Sequence, residues 1–414
     1  MELYDIVIIG AGPAGLMAAG HASELGARVL VLEKNKYAGI KLLMTGGGRC
    51  NFTNNAPDKI FAGKFGFNGK WLLSGLSNFN SDSIIDFFAA RNINSQANLE
   101  GKVYPENNSA AEIRKALIDY VESNQGEIIY EARVIKIIKD ADRISKIILS
   151  DNREIKARNF IIATGGNSYP LSGSNGDAYT WLKELGHKII KPRPALCPII
   201  VKENFVKNLE GLSFQNCSLD IYKNNKKISF ESGDFIFTGH GLSGPAALNL
   251  SRVITKEDKT NLIIKIDFFP DESSESLDKK FQELIESKSK ESIRNILRKL
   301  TQKRLADFIL DNRNIEISKK GADLTKLERS EIINFLKNLS LTILDIGGFN
   351  EAMITSGGVD LREVNQKTMA SKLYSNLYFA GEILDLDGPT GGYNLQIAWT
   401  SGYLAGESAA FHKD

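Results

Sequence analysis

The short apolar run Asp5 to Ile9 ends abruptly in Gly10-Ala11-Gly12-Pro13-Ala14-Gly15, and no other feature of the chain narrows the possible folds as far. A helix-like stretch, Leu16 to Leu25, follows. After Gly26 a second apolar run spans Arg28 to Leu32, and Glu33 closes the segment. Strand, glycine turn, helix, strand and acid in that order predict a βαβ unit, and its short connections imply a parallel sheet. In such a unit Gly10 allows the tight turn, Gly12 lets a pyrophosphate approach the backbone, and Gly15 brings helix and strand together. The helix opened by Pro13 and Ala14 offers amide donors and the positive end of its dipole. Glu33 can accept hydrogen bonds from ribose hydroxyls, and Lys34 beside it joins the same candidate site. A glycine turn that only packs strand on helix is the blander account, and the full context disfavours it.

A loop with three adjacent glycines follows, Lys41 to Asn51. Residues 82–91 and 109–124 read as helices. Glu127 to Lys139 and Ile144 to Leu149 read as strands. Asn159 to Ala163 reads as a buried strand running into Thr164-Gly165-Gly166. The texture changes at Lys191-Pro192-Arg193-Pro194. Residues 196–268 look like short strands between polar turns, and 275–340 look helical and highly charged. Glycine-rich α/β character returns near 345. The simplest organisation is a discontinuous domain, 1–190 with 353–414, interrupted by an insert over 191–352 that is β-rich over 191–270 and helical over 271–340.

Composition excludes several classes. The chain of 414 residues is 42% hydrophobic and 25% charged, ordinary for a globular protein with a sizeable core. A net charge of +2 provides no global basic field for nucleic acid. Cys50, Cys197 and Cys217 lie far apart with no Cys-x-x-Cys pair, and the four histidines show no ligand spacing, so no metal site is expected. No apolar run approaches the roughly 18 residues of a membrane-spanning helix. The N-terminus lacks the basic region of a signal peptide, and a cytoplasmic protein with no membrane partner is expected.

FAD and NAD both suit the first unit, and the rest of the chain separates them. Phe160-Ile161-Ile162-Ala163-Thr164-Gly165-Gly166 resembles the second motif of the FAD domains of the glutathione-reductase superfamily. Tyr378-Phe379-Ala380-Gly381-Glu382 resembles their C-terminal motif, in which the acid meets the ribityl chain. The resemblance implies an α/β fold, a doubly wound Rossmann-like FAD-binding domain carrying the inserted β-rich plus helical domain.

Longer blocks narrow the match. They are Lys41-Leu42-Leu43-Met44-Thr45-Gly46-Gly47-Gly48-Arg49-Cys50-Asn51-Phe52-Thr53-Asn54, Phe237-Thr238-Gly239-His240-Gly241-Leu242-Ser243-Gly244-Pro245-Ala246, Thr355-Ser356-Gly357-Gly358-Val359, and Ala380 to Gln396. Together they resemble the BaiN/RdsA (YhiN-like) flavoprotein family over almost the entire chain. That resemblance implies bound FAD, with NADH or NADPH as a transient reductant. It implies cofactor contacts at Lys41, Gly47, Gly48, Arg49, Cys50, Asn51 and Val134. It extends them to Ala163, Thr164, Gly165, Gly166, Gly381, Glu382, Gly392, Tyr393, Asn394, Leu395 and Gln396. A helix from Asn394 to Ala405 is expected to aim its N-terminus at the flavin. The insert is expected to cover the ring and shape the substrate pocket.

The implied chemistry is NAD(P)H-driven reduction of an activated carbon–carbon double bond. The substrate is a small molecule or large-subunit ribosomal RNA, in which uridine becomes dihydrouridine. An amine (aminoacetone-like) oxidase and a flavin-bearing RNA-binding or assembly factor are the alternatives. Such a reduction needs a proton donor beside the hydride donor. Cys50, next to Arg49, is a candidate acid or thiolate, weighed about evenly against a packed thiol. His240 and Tyr393 are the other catalytic candidates. Gly239-x-Gly241-x-x-Gly244 repeats the dinucleotide spacing without its helix-strand-acid context, so a turn before a helix is expected there. The basic run Arg294, Arg298, Lys299, Lys303 and Arg304 has acids nearby and reads as a solvated face.

Overall fold

Strand Tyr4–Ile9 (β1) is apolar throughout its last four residues because it lies inside a parallel sheet covered on both faces. The computed structural model describes residues 4–412. The five-stranded sheet runs Leu377–Phe379, Ala157–Ile162, β1, Val29–Leu32 (β2), Glu127–Ile129. All four pairings are parallel, and Ile8 lies level with Ile161 on one side and Val31 on the other.

Helix Pro13–Glu24 (α1) is buried at every position from Ala14 to Ser23, so its sequence shows no single apolar stripe. One reason is the C-terminal helix Tyr393–Phe411, which presses on it with small residues. A Cβ on Gly402 would stand 2.4 Å from Ala14 O, and one on Gly406 would stand 2.4 Å from Ala18 O. The four-residue spacing puts both glycines on one helix face, and the backbones touch there. Trp399, fully buried, donates its indole N–H to Phe52 O at 2.8 Å and ties this helix to the glycine loop.

The chain divides into two units, residues up to 194 with those from 349 onward, and residues 195–348. The first unit adds two small antiparallel sheets, Thr53–Asn54 with Lys102–Pro105 and Ser95–Ala97, and Val134–Asp140 with Arg143–Leu149 and Glu154–Ile155. The expected single strand Glu127 to Lys139 is corrected here. It breaks at Glu131, which takes a left-handed φ of 55°, and its halves join different sheets.

The second unit is built on a closed antiparallel barrel in the order Ile199–Val201, Gly241–Ser243, Lys226–Thr238, Ser213–Lys223, Leu262–Asp267, Leu339–Ile346. Helix Pro245–Ile254 leaves the barrel, and Ser274–Ser287, Ile293–Leu300, Lys303–Asn312 and Lys326–Asn338 form its helical part. Four of the five cations of the basic run have partners within the unit. Arg294 and Arg298 both grip the Asp307 carboxylate, Lys299 pairs with Glu291, and Arg304 donates to Asn208 O and Glu210 O.

Candidate active site

Three glycine motifs that lie far apart in sequence meet at the carboxyl ends of neighbouring strands, where open α/β sheets bind ligands. Ala163 N donates to Ile9 O at 2.9 Å, and Ala380 N donates to Ile162 O at 3.0 Å. A Cβ on Gly10 would lie 2.5 Å from Ala163 O, and one on Gly381 would lie 2.8 Å from Ala14 Cβ. The Gly10 turn, the Ala163–Gly166 segment and the Gly381 turn therefore form one surface.

The glycines of the first motif differ in what they are for. A Cβ on Gly15 would sit 1.9 Å from Gly10 O, so strand-to-helix packing alone demands glycine there. Gly12 has an ordinary extended backbone, φ −80° and ψ −177°, and a Cβ on it would meet nothing within 4 Å. The fold does not require glycine at this position. Gly12 is also the N-cap of α1 and supplies no side-chain acceptor, which leaves the first turn open to an outside anion. Buried Thr164 Oγ1 and Asn51 Oδ1 have no hydrogen-bond partner among the described residues. Open space, an uncapped helix and unpaired polar atoms fit an extended phosphate-bearing cofactor such as FAD.

The repeated spacing at Gly239 behaves otherwise. Its middle glycine, Gly241, sits inside the barrel, where a Cβ would stand 2.0 Å from Ile199 O. Residues 239 and 240 form the tight turn between two barrel strands, and the helix begins only at Pro245. Barrel packing explains this motif, and His240 is an exposed turn residue of the second unit.

Glu33 lies just past β2 and is buried. Its Oε2 accepts from Ala11 N at 3.0 Å and its Oε1 from Asn35 N at 2.8 Å. Burial raises its pKa, and the two amides only partly offset that. Lys34 is engaged by Asn175 and Asp177 at 2.6 and 3.0 Å, so its ammonium already has two partners. Val134 is buried and opens a strand of a separate antiparallel sheet.

Glu382 is held more tightly than its motif implies. Lys41 Nζ lies 2.7 Å from its Oε2. Its Oε1 accepts from Ser168 Oγ at 2.7 Å and from Thr355 N at 2.8 Å. The sequence did not single out Ser168, and it marked Thr355 only as the start of the Thr355–Val359 block expected to help cover the ring. The signal available for Ser168 was its place two residues beyond Gly166.

The loop after Lys41 folds as successive 3-10 turns bent at Gly46 and Gly47, which take φ of 57° and 67°. Gly46, Gly47, Gly48 and Arg49 are exposed, whereas Cys50 is fully buried in the core. Burial pushes the Cys50 thiol up to about 12, which favours the packed thiol among the readings left open for it. Arg49 turns away, donating Nε to Gly46 O and covering the Tyr104 ring. At the other wall, Asn394 closes the 388–392 turn by accepting from Gly388 N and donating to Gly388 O and Pro389 O. The C-terminal helix starts at Tyr393, one residue before the expected Asn394. Tyr393 packs against Phe61 and Phe65, and burial raises its pKa. Leu395 is half-buried. The side chain of Gln396 is fully buried and bonded to Thr53 Oγ1, Phe79 O and Thr400 Oγ1.

A parallel sheet with this glycine cradle at its carboxyl edge is a Rossmann-like arrangement, and the chain is an oxidoreductase of that fold. The chain belongs to the HI0933-like family, whose Rossmann-domain profile matches residues 4–408. It is 29% identical over 409 residues to a 3-dehydro-bile acid delta(4,6)-reductase of Clostridium scindens, covering 98% of each chain. It is 29% identical over 411 residues to a ribosomal RNA dihydrouridine synthase of Haemophilus influenzae, covering 97% of each. Among solved structures, a 3-ketosteroid delta1-dehydrogenase from Sterolibacterium denitrificans superposes with a TM-score of 0.56 at 11% identity over 100% of both chains. A flavocytochrome c3 fumarate reductase gives 0.53 at 16% identity, over 99% of this chain and 78% of that one. These two likenesses are likenesses of fold. No helix among the described residues is long and apolar enough to cross a membrane, and no group of metal-ligating side chains occurs among them.

Proposed function

We propose that the protein holds FAD, takes electrons from NADH or NADPH that visits only transiently, and saturates an activated carbon–carbon double bond. A uridine of large-subunit ribosomal RNA is the substrate we place first. The observation that carries this reading is the open space at Gly12, where a Cβ would meet nothing within 4 Å and packing gives no reason for glycine. Two full-length relatives, one named a bile acid reductase and one a dihydrouridine synthase, support the reaction type. Dihydrouridine differs from uridine by one saturated carbon–carbon bond.

Bound FAD would supply hydride transfer. Gly10, Gly12, Pro13, Ala14 and Gly15 would hold its pyrophosphate against the first turn of α1, with Ala163, Thr164, Gly165 and Gly166 lining the adjacent strand end. Glu33 would accept from the adenosine ribose, and Glu382 from the ribityl chain. Gly47, Gly48 and Asn51 on one wall, and Gly381, Gly392, Tyr393, Asn394 and Leu395 on the other, would shape the remaining surface. Tyr393, at the first position of the C-terminal helix, is the candidate proton donor in this unit.

Two measurements test the proposal. Purified protein should be yellow, and NADH or NADPH should bleach it without oxygen. Colourless protein that cannot be reconstituted with FAD defeats the cofactor reading, and bleaching by amines points instead to an oxidase. Ribosomal RNA from a deletion strain should lack a dihydrouridine that the wild-type chain restores. Unchanged RNA would move the substrate to a small unsaturated molecule.

A further inference from the structure

We propose that Ser168 and Lys41 are positioning residues for Glu382, and that they set cofactor affinity by leaving its carboxylate one open acceptor direction. The inference rests on the FAD reading above and goes beyond it in naming how the ribityl-facing acid is held.

A carboxylate accepts about four hydrogen bonds. Three positions on Glu382 are filled: Oε1 by the Ser168 hydroxyl and the Thr355 amide, and Oε2 by the Lys41 ammonium. One lone pair on Oε2 remains for a ligand hydroxyl. Ser168 is fully buried, and its oxygen lies 2.7 Å from both Lys41 Nζ and Glu382 Oε1. A serine hydroxyl has one proton to give. Met353 O stands 3.5 Å away, so the proton goes to Glu382, and the Ser168 oxygen accepts from Lys41. The ring Lys41–Ser168–Glu382 is thereby directional.

Each partner removes one way for the carboxylate to turn. Thr355 adds a constraint on the strand side, because its Oγ1 accepts from Asn167 N at 2.7 Å, next to Ser168. Without Ser168, Oε1 keeps a single partner and the acid can rotate off the ligand. Without Lys41, Oε2 loses its cation and the half-buried charge must be solvated by other means.

The test is FAD affinity, read by flavin fluorescence on apoprotein, in a double-mutant cycle. Ser168→Ala should weaken FAD by roughly tenfold, the worth of one hydrogen bond to a charged group. Lys41→Met should weaken it in the same direction. In a Glu382→Ala background the Ser168→Ala change should cost less than about twofold, because its partner is gone. Melting of each apoprotein, measured alongside, separates loss of fold from loss of positioning. Ser168→Ala that binds FAD like wild type, or loses equal affinity in both backgrounds, overturns the positioning role while the cofactor reading stands. A folded wild-type chain that takes up no FAD overturns both.

Discussion

Oε2 of Glu33 accepts a hydrogen bond from the backbone amide of Ala11 at 3.0 Å, so the acid that ends the βαβ unit reaches back to grip the glycine turn that begins it. The same carboxylate orders Asn35 on the far side. A group read from sequence as a ribose ligand is therefore also a brace for the turn that receives the phosphates.

That dual role has a pH signature. Burial raises the folded-state pKa of Glu33 above its ordinary value of about 4.3. The stability linked to this group is thus fully present below that ordinary value and is lost as pH rises through the raised one. Glu33→Gln does not titrate. The melting temperature of the apo variant, relative to wild type, should climb as pH is raised from about 4 toward neutrality, while FAD binding weakens by roughly tenfold. A melting difference that stays flat with pH would show that Glu33 ionises as freely in the fold as in the open chain.

Gly12 and Gly15 should fail in opposite ways. Gly15→Ala drives a Cβ into Gly10 O and should cost about 2 kcal/mol of stability or more. Gly12→Val meets open space, so apoprotein stability should move by less than about 0.5 kcal/mol. Its FAD affinity should fall by about a hundredfold, because the side chain fills the phosphate cradle. Retained flavin in Gly12→Val would place the pyrophosphate elsewhere.

Cys50 should behave as a packed thiol. With its pKa pushed up to about 12 and no exposed surface, it should resist iodoacetamide at pH near 8 in the folded protein and react once unfolded. Peptide mass mapping distinguishes it from the other two cysteines. Cys50→Ala should lower stability by about 1 kcal/mol and leave reduction by NADH or NADPH unchanged. Labelling of Cys50 in the native state would restore it as a chemical participant.

The helical part of the second unit should lose stability in acid through Asp307. Arg294 and then Arg298 hold that carboxylate far below the usual range. Its contribution is present above an ordinary carboxylate pKa of about 4 and fades as pH falls below it. Solvent screens the half-exposed arginines, so Asp307→Asn should cost on the order of 1 kcal/mol at neutral pH. The gap between variant and wild type in urea unfolding should begin to narrow as pH falls below about 4 and go on closing below about pH 3. A gap that persists unchanged would mean that the arginines do not depend on the ionised acid.

What the sequence determined by itself is the local grammar of the cofactor unit. A continuous apolar run, glycines at 10, 12 and 15 and an acid after the next strand specify β1, α1 and β2, because turn sterics and strand burial are properties of adjacent residues. The two later motifs were legible for the same reason, and the structure sets them beside the first at neighbouring strand ends. Tertiary structure alone decided which polar groups remain free for a ligand. Gln396 and Glu382 both stand in a motif, yet one is enclosed by Thr53, Phe79 and Thr400 and the other is held by Lys41, 341 residues away. The broken strand at Glu131 and the closure of the barrel belong to the same class. Alternation along a strand shows which face is buried but not which strand lies beside it, and pairing energies are settled only when distant segments meet.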